Sequence, residues 1–367
     1  MPHIDYEKLA DAIVRKQVAQ SRNALPEAEI AAAAKSIASV AEAAAGSSEP
    51  ELQAIANALA NGNSSEAKRL YWARLEGKAR AGEAMNKQAA DAARGLAALT
   101  RVTDVGEAAR LYARAANLDP DDIETWRNAG HTAEQAGRLP DARTAYEAGL
   151  AAAERAQDEW WRMAISNHLG DVAVSEGNLP AALSLYDAGK QIADRLAKAD
   201  PGNSGWQRDL SVSYDRIGDV LVAQGNLPDA LKAYRDSQTI VDKLAEADPG
   251  NAGWQRDLSV SYIKVGNVLV AQGQLPDALK AYRDSQTIAD KLANADPGNA
   301  GWQRDLSVSY DKIASIFERQ GNRAEAFVHA EKSFLIDQAL AARDPTNVTW
   351  QNDVQVSGDR LRRLQGK

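Results

Sequence analysis

The side chains that most often carry catalysis or hold metal ions are few in this chain and lie far apart. None of the four histidines has a second histidine at the spacing of a zinc site; they are His3, His131, His168 and His329. Cysteine is absent, which excludes a disulfide framework and a thiolate metal site. The sequence therefore predicts no catalytic residue, no metal site and no cofactor, and it indicates a protein that is not an enzyme.

Two further motifs resemble ligand sites but lack part of the required pattern. Gly77 and Lys78 are followed by alanine, and tryptophan stands five positions before Gly77, so they do not form a phosphate-binding loop. The acidic turns, such as the one that begins at Asp119, lack the spacing of a calcium loop and its closing glutamate. We expect these acidic residues to form turns and helix caps.

A regularly spaced row of tryptophans is the remaining candidate for chemistry, because a row of indoles could stack on bases or on a glycan. The row comprises Trp206, Trp254, Trp302 and Trp350. Its period equals the period of the surrounding sequence, so packing of each indole against the preceding turn is the stronger interpretation. The Arg-Asp pairs that follow Trp-Gln are likewise expected to form surface or inter-repeat ion pairs, which usually contribute little individually.

These tryptophans mark a tandem repeat that must position the other side chains. The segments 206–253 and 254–301 differ at only seven positions, and further copies begin at Trp302 and Trp350. Such a period is typical of a solenoid, in which each unit buries its apolar face against its neighbours. A stacked array offers one long surface and rarely a pocket, so the repeat favours binding over catalysis.

Each copy contains two apolar stripes with helical spacing. In the copy that begins at Trp206 they are Leu210, Tyr214, Ile217 and Leu221, then Ala230, Tyr234, Ser237, Val241 and Leu244. Gly225 between them can adopt the left-handed conformation that ends a helix, and Asn226 can cap the next helix. An Asp-Pro-Gly-Asn turn from Asp248 follows. Each copy is therefore predicted to be a helical hairpin plus a turn.

Upstream, the same pattern recurs with a shorter period, and there the chain resembles the tetratricopeptide repeat (TPR) family. The residues that carry the resemblance are Trp126, Gly130, Ala142 and Tyr146, preceded by Ala108, Tyr112 and Pro120. The long copies are similar to the extended repeats of kinesin light chains and of many bacterial proteins. Their 14 extra residues, shared equally, predict about two additional turns in each helix. The resemblance covers roughly residues 50 to 365 and implies an all-α, right-handed α-solenoid of antiparallel helix hairpins.

The pattern divides the chain into four expected segments, with about seven hairpins starting near Glu51. They are an N-terminal helical pair over 1–48, shorter TPR-like hairpins over 49–158, long TPR-like repeats over 159–348, and a C-terminal capping helix with a basic tail over 349–367. Pro26 is expected to open the second helix of the N-terminal pair. This pair either caps the solenoid or docks a partner.

Charge and hydropathy limit the partners and the compartment. The formal net charge of −8 argues against a phosphate-neutralising surface, so a nucleic-acid partner is not expected. The N-terminus lacks the apolar core of a signal peptide, and nowhere do 18 apolar residues run together. The sequence therefore predicts no membrane insertion, and the cytoplasm is the default compartment.

The resemblance also implies where a partner would bind. In the TPR family, residues just after the first-helix aromatic and one turn later line the concave groove that holds extended peptides or partner helices. The matching positions are Arg127, His131, Asn167, Asp171, Asp215, Asp219, Ile263, Asn267, Asp311 and Ser315. Two of the seven differences between the near-identical copies fall at these positions. These two differences fit either a binding groove or exposed positions whose residues drifted after the repeat was duplicated.

Together these features indicate an adaptor that binds a protein or peptide along the groove. Chaperone-tail-binding members carry lysines and arginines at early positions of the first helix, where this chain has Ala164, Val212, Val260 and Val308. A basic or amide-rich partner is therefore favoured over an acidic tail. Two other hypotheses remain open. One is a self-associating structural scaffold, and the other is a regulatory subunit of a separate signalling or defence effector.

Overall fold

The computed structural model describes residues 4–21, 27–80 and 85–366, and this part of the chain forms helices and turns without a strand. His3, Lys367 and the helix start predicted at Pro26 lie outside the described residues. The helices are α1 (Tyr6–Ser21), α2 (Glu27–Gly46), α3 (Pro50–Ala60), α4 (Ser64–Arg80), α5 (Asn86–Thr100), α6 (Val105–Leu118), α7 (Ile123–Gln135), α8 (Leu139–Arg155), α9 (Glu159–Ser175), α10 (Leu179–Ala199), α11 (Ser204–Ala223), α12 (Leu227–Ala247), α13 (Ala252–Ala271), α14 (Leu275–Ala295), α15 (Ala300–Arg319), α16 (Arg323–Arg343) and α17 (Val348–Gln365).

The chain divides into two compact units, Met1–Leu185 and Tyr186–Lys367. In the N-terminal unit the pairs α3/α4, α5/α6 and α7/α8 pack as hairpins, and in the C-terminal unit α11/α12, α13/α14 and α15/α16 do the same. Three hairpins thus lie in each unit, and they correspond to six of the predicted seven that start near Glu51. The all-α hairpin architecture is therefore confirmed, and the handedness of the array stays a prediction.

The core of the N-terminal unit combines a few large aliphatic side chains with many alanines. Ile37, Ile55, Leu59 and Leu99 are completely buried. The apolar face of α2 is buried, and α2 packs against α1, α3 and α5. Alanine favours helix formation and lets neighbouring helices approach closely.

The turn inside each long repeat forms as the sequence predicts. Gly225 has a φ of 76°, the left-handed conformation that glycine adopts at little cost. The side chain of Asn226 then accepts a hydrogen bond from the amide of Asp229 and caps α12, and Pro228 lies in the first turn of that helix. In the next copy Gln274 replaces the asparagine and makes no such cap.

The extra residues of the long repeats are not shared equally between the two helices. The short hairpin has 13 residues in α7 and 17 in α8, whereas the long hairpin has 20 in α11 and 21 in α12. The prediction of two additional turns in each helix is therefore correct for the first helix and too high for the second. The first helix gains more residues than the second because the Trp-Gln-Arg-Asp segment is part of it. Asn203 caps α11 before Trp206, so this segment is helical.

A glycine on one helix faces a tyrosine ring on the next at several hairpins. A Cβ atom added to Gly218 would lie 2.5 Å from Cε1 of Tyr234, and Gly266 faces Tyr282 in the same way. The glycine therefore creates the space that the ring fills. Because the ring is buried there, the pKa of Tyr282 is raised to about 12. In the last hairpin both partners are alanine, Ala314 and Ala330, and both are completely buried.

Candidate functional site

The repeated tryptophans are half-buried near the start of their helices, and Trp254 shows the packing that the sequence predicts. Trp254 is half-buried against Val241, Ala245 and Leu258. Its amide donates a 3.2 Å hydrogen bond to Oδ1 of Asn251, the last residue of the preceding Asp-Pro-Gly-Asn turn. The acidic turns thus act as turns and helix caps.

The remaining residues of the Trp-Gln-Arg-Asp motif join neighbouring repeats. Gln255 Nε2 donates to the carbonyl oxygen of Ala245 at 3.1 Å, near the end of the preceding helix. Arg208 Nε lies 2.7 Å from Oδ2 of Asp257 one repeat later, and equivalent pairs join α13 to α15 and α15 to α17. The predicted inter-repeat ion pairs are confirmed. They place α11, α13, α15 and α17 side by side, and we call these four helices the first-helix layer.

In the N-terminal unit, the predicted groove residues lie on α7 and α9. Arg127 Nη2 donates to Oδ1 of Asn128 at 2.9 Å, and Arg127 Nε is buried without a hydrogen-bond partner among the described residues. The same holds for Oδ1 of Asn167. Burial lowers the pKa of His131, and the positive charges of Arg101 and Arg127 lower it further. Both effects favour the neutral form of the imidazole.

Asp171 lies beside a histidine that has a packing role. The ring of His168 stacks on Tyr146 with 5.0 Å between the ring centroids, and its Nδ1 is 4.0 Å from Oδ2 of Asp171. His329 packs against Phe317 in the C-terminal unit. His168 and His329 therefore both pack against an aromatic ring.

In the C-terminal unit, the first pair of predicted groove carboxylates is joined to the next repeat. Asp219 lies 2.9 Å from Nζ of Lys264, and Asp215 lies 3.8 Å from it. Asp219 also accepts a 2.6 Å hydrogen bond from the Tyr234 hydroxyl. Burial raises the pKa of Asp215, and Lys264 opposes that rise. The sequence reasoning missed this partner, although a lysine or arginine recurs at this place in every long copy.

In the second copy Ile263 and Asn267 replace these two carboxylates and interrupt the pattern. Asn267 Oδ1 accepts a 2.9 Å hydrogen bond from the Tyr282 hydroxyl. Lys312, which corresponds to Lys264, has no ion pair among the described residues. The differences between the copies thus change the charge along the first-helix layer.

The third copy regains a paired carboxylate. Arg360 on α17 donates from Nε to Asp311 at 2.8 Å and from Nη1 to Glu318 at 2.7 Å. Ser315 Oγ donates to the carbonyl oxygen of Lys312 in its own helix. In the C-terminal unit the predicted site residues therefore sit at equivalent places on α11, α13 and α15, and Asp215, Asp219 and Asp311 are engaged in ion pairs between helices.

A column of valines runs beside these residues. Val212, Val260 and Val356 are 36%, 37% and 61% exposed, and Val308 between them is half-buried. Val212 and Asp215 are three residues apart and so share a face of α11. The first-helix layer thus combines a regular apolar column with hydrogen-bonding side chains.

In the described residues there is no group of three or more histidine, aspartate or glutamate side chains that could hold a metal ion. None of the helices described is both long and apolar enough to cross a membrane.

Comparison with known proteins supports the fold. No family model and no curated protein matches the sequence. Among solved structures, BtubC (BKLC) from P. vanneervenii resembles the chain with a TM-score of 0.52 at 14% identity, over 64% of this chain and 89% of BtubC. The C-terminal part of a TPR repeat-containing protein from Cytophaga hutchinsonii aligns over 82% of this chain and 98% of that part, with a TM-score of 0.46 and 14% identity. The chain has the fold of a TPR-like α-solenoid.

Proposed function

We propose that this protein is a non-enzymatic adaptor that binds a protein or peptide along the first helices of its hairpins. The observation that carries the proposal is the exposed column of Val212, Val260 and Val356 beside the predicted binding positions. Apolar contacts at a regular spacing, flanked by hydrogen-bonding groups, suit an extended peptide or a partner helix.

Unpaired polar atoms at the predicted positions also support binding. Arg127 Nε and Asn167 Oδ1 in the N-terminal unit are buried without a hydrogen-bond partner among the described residues. Buried polar groups in folded proteins rarely stay unpaired, because the loss of hydration costs about 1–3 kcal/mol for each group. A change of side-chain conformation on binding would bring these atoms to a bound polar chain that satisfies them.

The charges favour an amide-rich partner over a strongly basic one. Asp219 and Asp311 already pair with Lys264 and Arg360, so a cationic ligand would compete with internal ion pairs. Asn267 in the second copy carries an amide that both donates and accepts hydrogen bonds. Neutral peptide amides therefore fit this surface without displacing an internal contact.

The proposal can be tested by exchanging residues between the two near-identical copies. Ile263→Asp combined with Asn267→Asp gives the second copy the residues of the first, where Asp215 and Asp219 are already accommodated. Peptides would be selected on the wild-type protein from a displayed random library, and their Kd measured by calorimetry. We expect the double variant to bind them at least about tenfold more weakly, which is about 1.4 kcal/mol.

A matched control changes the same number of residues on the second helices. Asp236→Asn with Asp284→Asn alters α12 and α14 and should leave the Kd within about twofold, since isolated surface charges contribute little. Circular dichroism of both double variants should match the wild type. Equal losses in the two variants, or no loss in the first, would contradict binding along the first-helix layer.

A further inference from the structure

The outward face of α16 is apolar where the same face of α14 is polar. Val328 and Leu335 are 44% and 56% exposed. One repeat earlier these positions hold Lys280 and Thr287, which are also exposed. Two repeats earlier they again hold lysine and threonine. The change is therefore confined to the last long hairpin.

Two further exposed positions on the same face change in the same direction. Ala339 replaces the lysine, and Ala342 the asparagine, of the second copy. Residues separated by seven, eleven and fourteen positions return to one side of a helix. Val328, Leu335, Ala339 and Ala342 therefore form one stripe about 21 Å long at 1.5 Å per residue. We call these four residues the α16 stripe.

Packing within the hairpin does not explain the stripe. The inner face of α16 is buried through Ala326, Ala330, Leu340 and Ala341, as in the other second helices, and includes the buried Asp337. Single exposed apolar residues are common on proteins and need no explanation. Here four polar positions have become apolar together on one face, which is the signature of a contact surface.

Two charged residues flank the middle of the stripe: Glu331 is exposed, and Lys332 is directed toward the neighbouring helix. Lys332 Nζ lies 5.2 Å from the centroid of the Tyr310 ring on α15. A cation in this position is attracted by the ring face. The ammonium group therefore does not cover the apolar side chains of the stripe.

We infer that two copies of this chain pair through the α16 stripe, with the two α16 helices antiparallel. The charges at its ends select this arrangement. Glu325 lies in the first turn of α16 and Arg343 in the last, both are exposed, and they fall on the same side of the stripe. Arg343 Nη2 donates to the carbonyl oxygen of Gly298 at 2.8 Å within the chain, and the other nitrogens of its guanidinium carry the donors available to Glu325 of the second copy. Antiparallel pairing brings Glu325 of each copy to Arg343 of the other, whereas parallel pairing would bring like charges together. The contact uses a different surface from the proposed peptide-binding layer and does not depend on it.

The first test is the oligomeric state in solution. Sedimentation velocity of the full chain at about 1 to 100 μM should show a monomer–dimer equilibrium, because an interface of one helix face gives weak to moderate affinity. Val328→Lys with Leu335→Thr restores the residues of the second copy and should keep the protein monomeric throughout. Val222→Thr with Val348→Thr removes two valines of α11 and α17 that are 40% and 66% exposed and lie outside the α16 stripe, and this variant should dimerise like the wild type.

A charge exchange tests the orientation. Glu325→Arg alone should weaken the dimer at least about fivefold, and adding Arg343→Glu should restore it, because the exchanged pair is again complementary. A wild-type chain that stays monomeric at the highest concentration would overturn the inference. Dimers of the Val328→Lys, Leu335→Thr variant as stable as the wild type would also overturn it. A double charge exchange that fails to restore pairing would overturn the antiparallel geometry.

Discussion

At the scale of single residues, the glycine and tyrosine pairs show how one position determines another. Gly218 is buried because the Tyr234 ring occupies the space where a Cβ would stand. The chain itself contains the alternative solution, since Ala314 and Ala330 occupy both positions in the last hairpin. The repeat pattern predicts the tyrosine as a core residue. It does not predict its contact, because the two residues are on different helices and meet only through the hairpin geometry.

This pairing predicts strongly non-additive stability. Gly218→Ala should destabilise the protein by about 1–3 kcal/mol, because the new methyl group clashes with the ring. Tyr234→Ala should cost about 3–5 kcal/mol. In the Tyr234→Ala background, however, Gly218→Ala should be neutral or stabilising by up to about 1 kcal/mol, since alanine favours helix formation. Urea unfolding of the four proteins measures the coupling. Additive losses would contradict the proposed contact.

Only some ion pairs of the first-helix layer can be predicted from the spacing of single residues. The motif predicts that arginine and aspartate meet between repeats, since each recurs with the same period. Asp219 and Lys264 also meet, but this depends on the lateral register of α11 and α13. That register follows from helix packing and not from spacing along one helix. The sequence therefore places the predicted groove residues on their helices. It does not predict how much of their charge is left unpaired and available to a partner.

At the scale of helices, α17 differs from the first helices that precede it. Its described buried residues are Ser357, Gly358 and Leu364, whereas α13 buries seven residues, four of them apolar. Polar contacts from Arg304 and Arg360 supply much of its attachment to α15. Polar attachment is weaker than apolar burial and is screened by salt.

We therefore predict that α17 is the least stable helix of the C-terminal unit. Its amides should exchange with deuterium faster than those of α13, and about 1 M NaCl should accelerate them further, because the Debye length falls to about 3 Å. Arg360→Gln should accelerate exchange in α17 even at low salt. The matched control is Arg362→Gln, whose ion pair with Asp359 lies within α17 itself. Equal effects of the two changes would contradict the role of Arg360.

At the scale of the whole molecule, the period is the property that the sequence predicts best. The number of helices, the turns and the packing of the tryptophans follow from the period, because near-identical segments of one chain adopt the same local structure. The division of the extra residues between helices and the apolar face of α16 do not follow from the period. The first depends on where the asparagine caps fall, and the second is a departure from the repeat that becomes informative only when exposure is known.

If the period sets the fold, one complete repeat should be removable. Deleting residues 254–301 joins Gly253 to Trp302 and brings Asp305 to the place of Asp257 beside Arg208. It also brings Lys312 beside Asp215 and Asp219, so this lysine gains the contacts that Lys264 makes now. Val241 would pack on Leu306, and in the present structure it already packs in one cluster with the equivalent Leu258.

We expect this deletion variant to keep the helicity per residue of the full chain and to unfold cooperatively. Its stability should be lower only by about the contribution of one repeat and its interface. Deletion of residues 254–287, which removes one period of the shorter TPR unit, is the control and should lose helicity, because it cuts α14 and does not bring Asp305 to the place of Asp257 beside Arg208. Circular dichroism and urea unfolding separate the two cases. If the complete-repeat deletion unfolds or aggregates like the control, the copies are not interchangeable, and contacts specific to the second copy hold the C-terminal unit together.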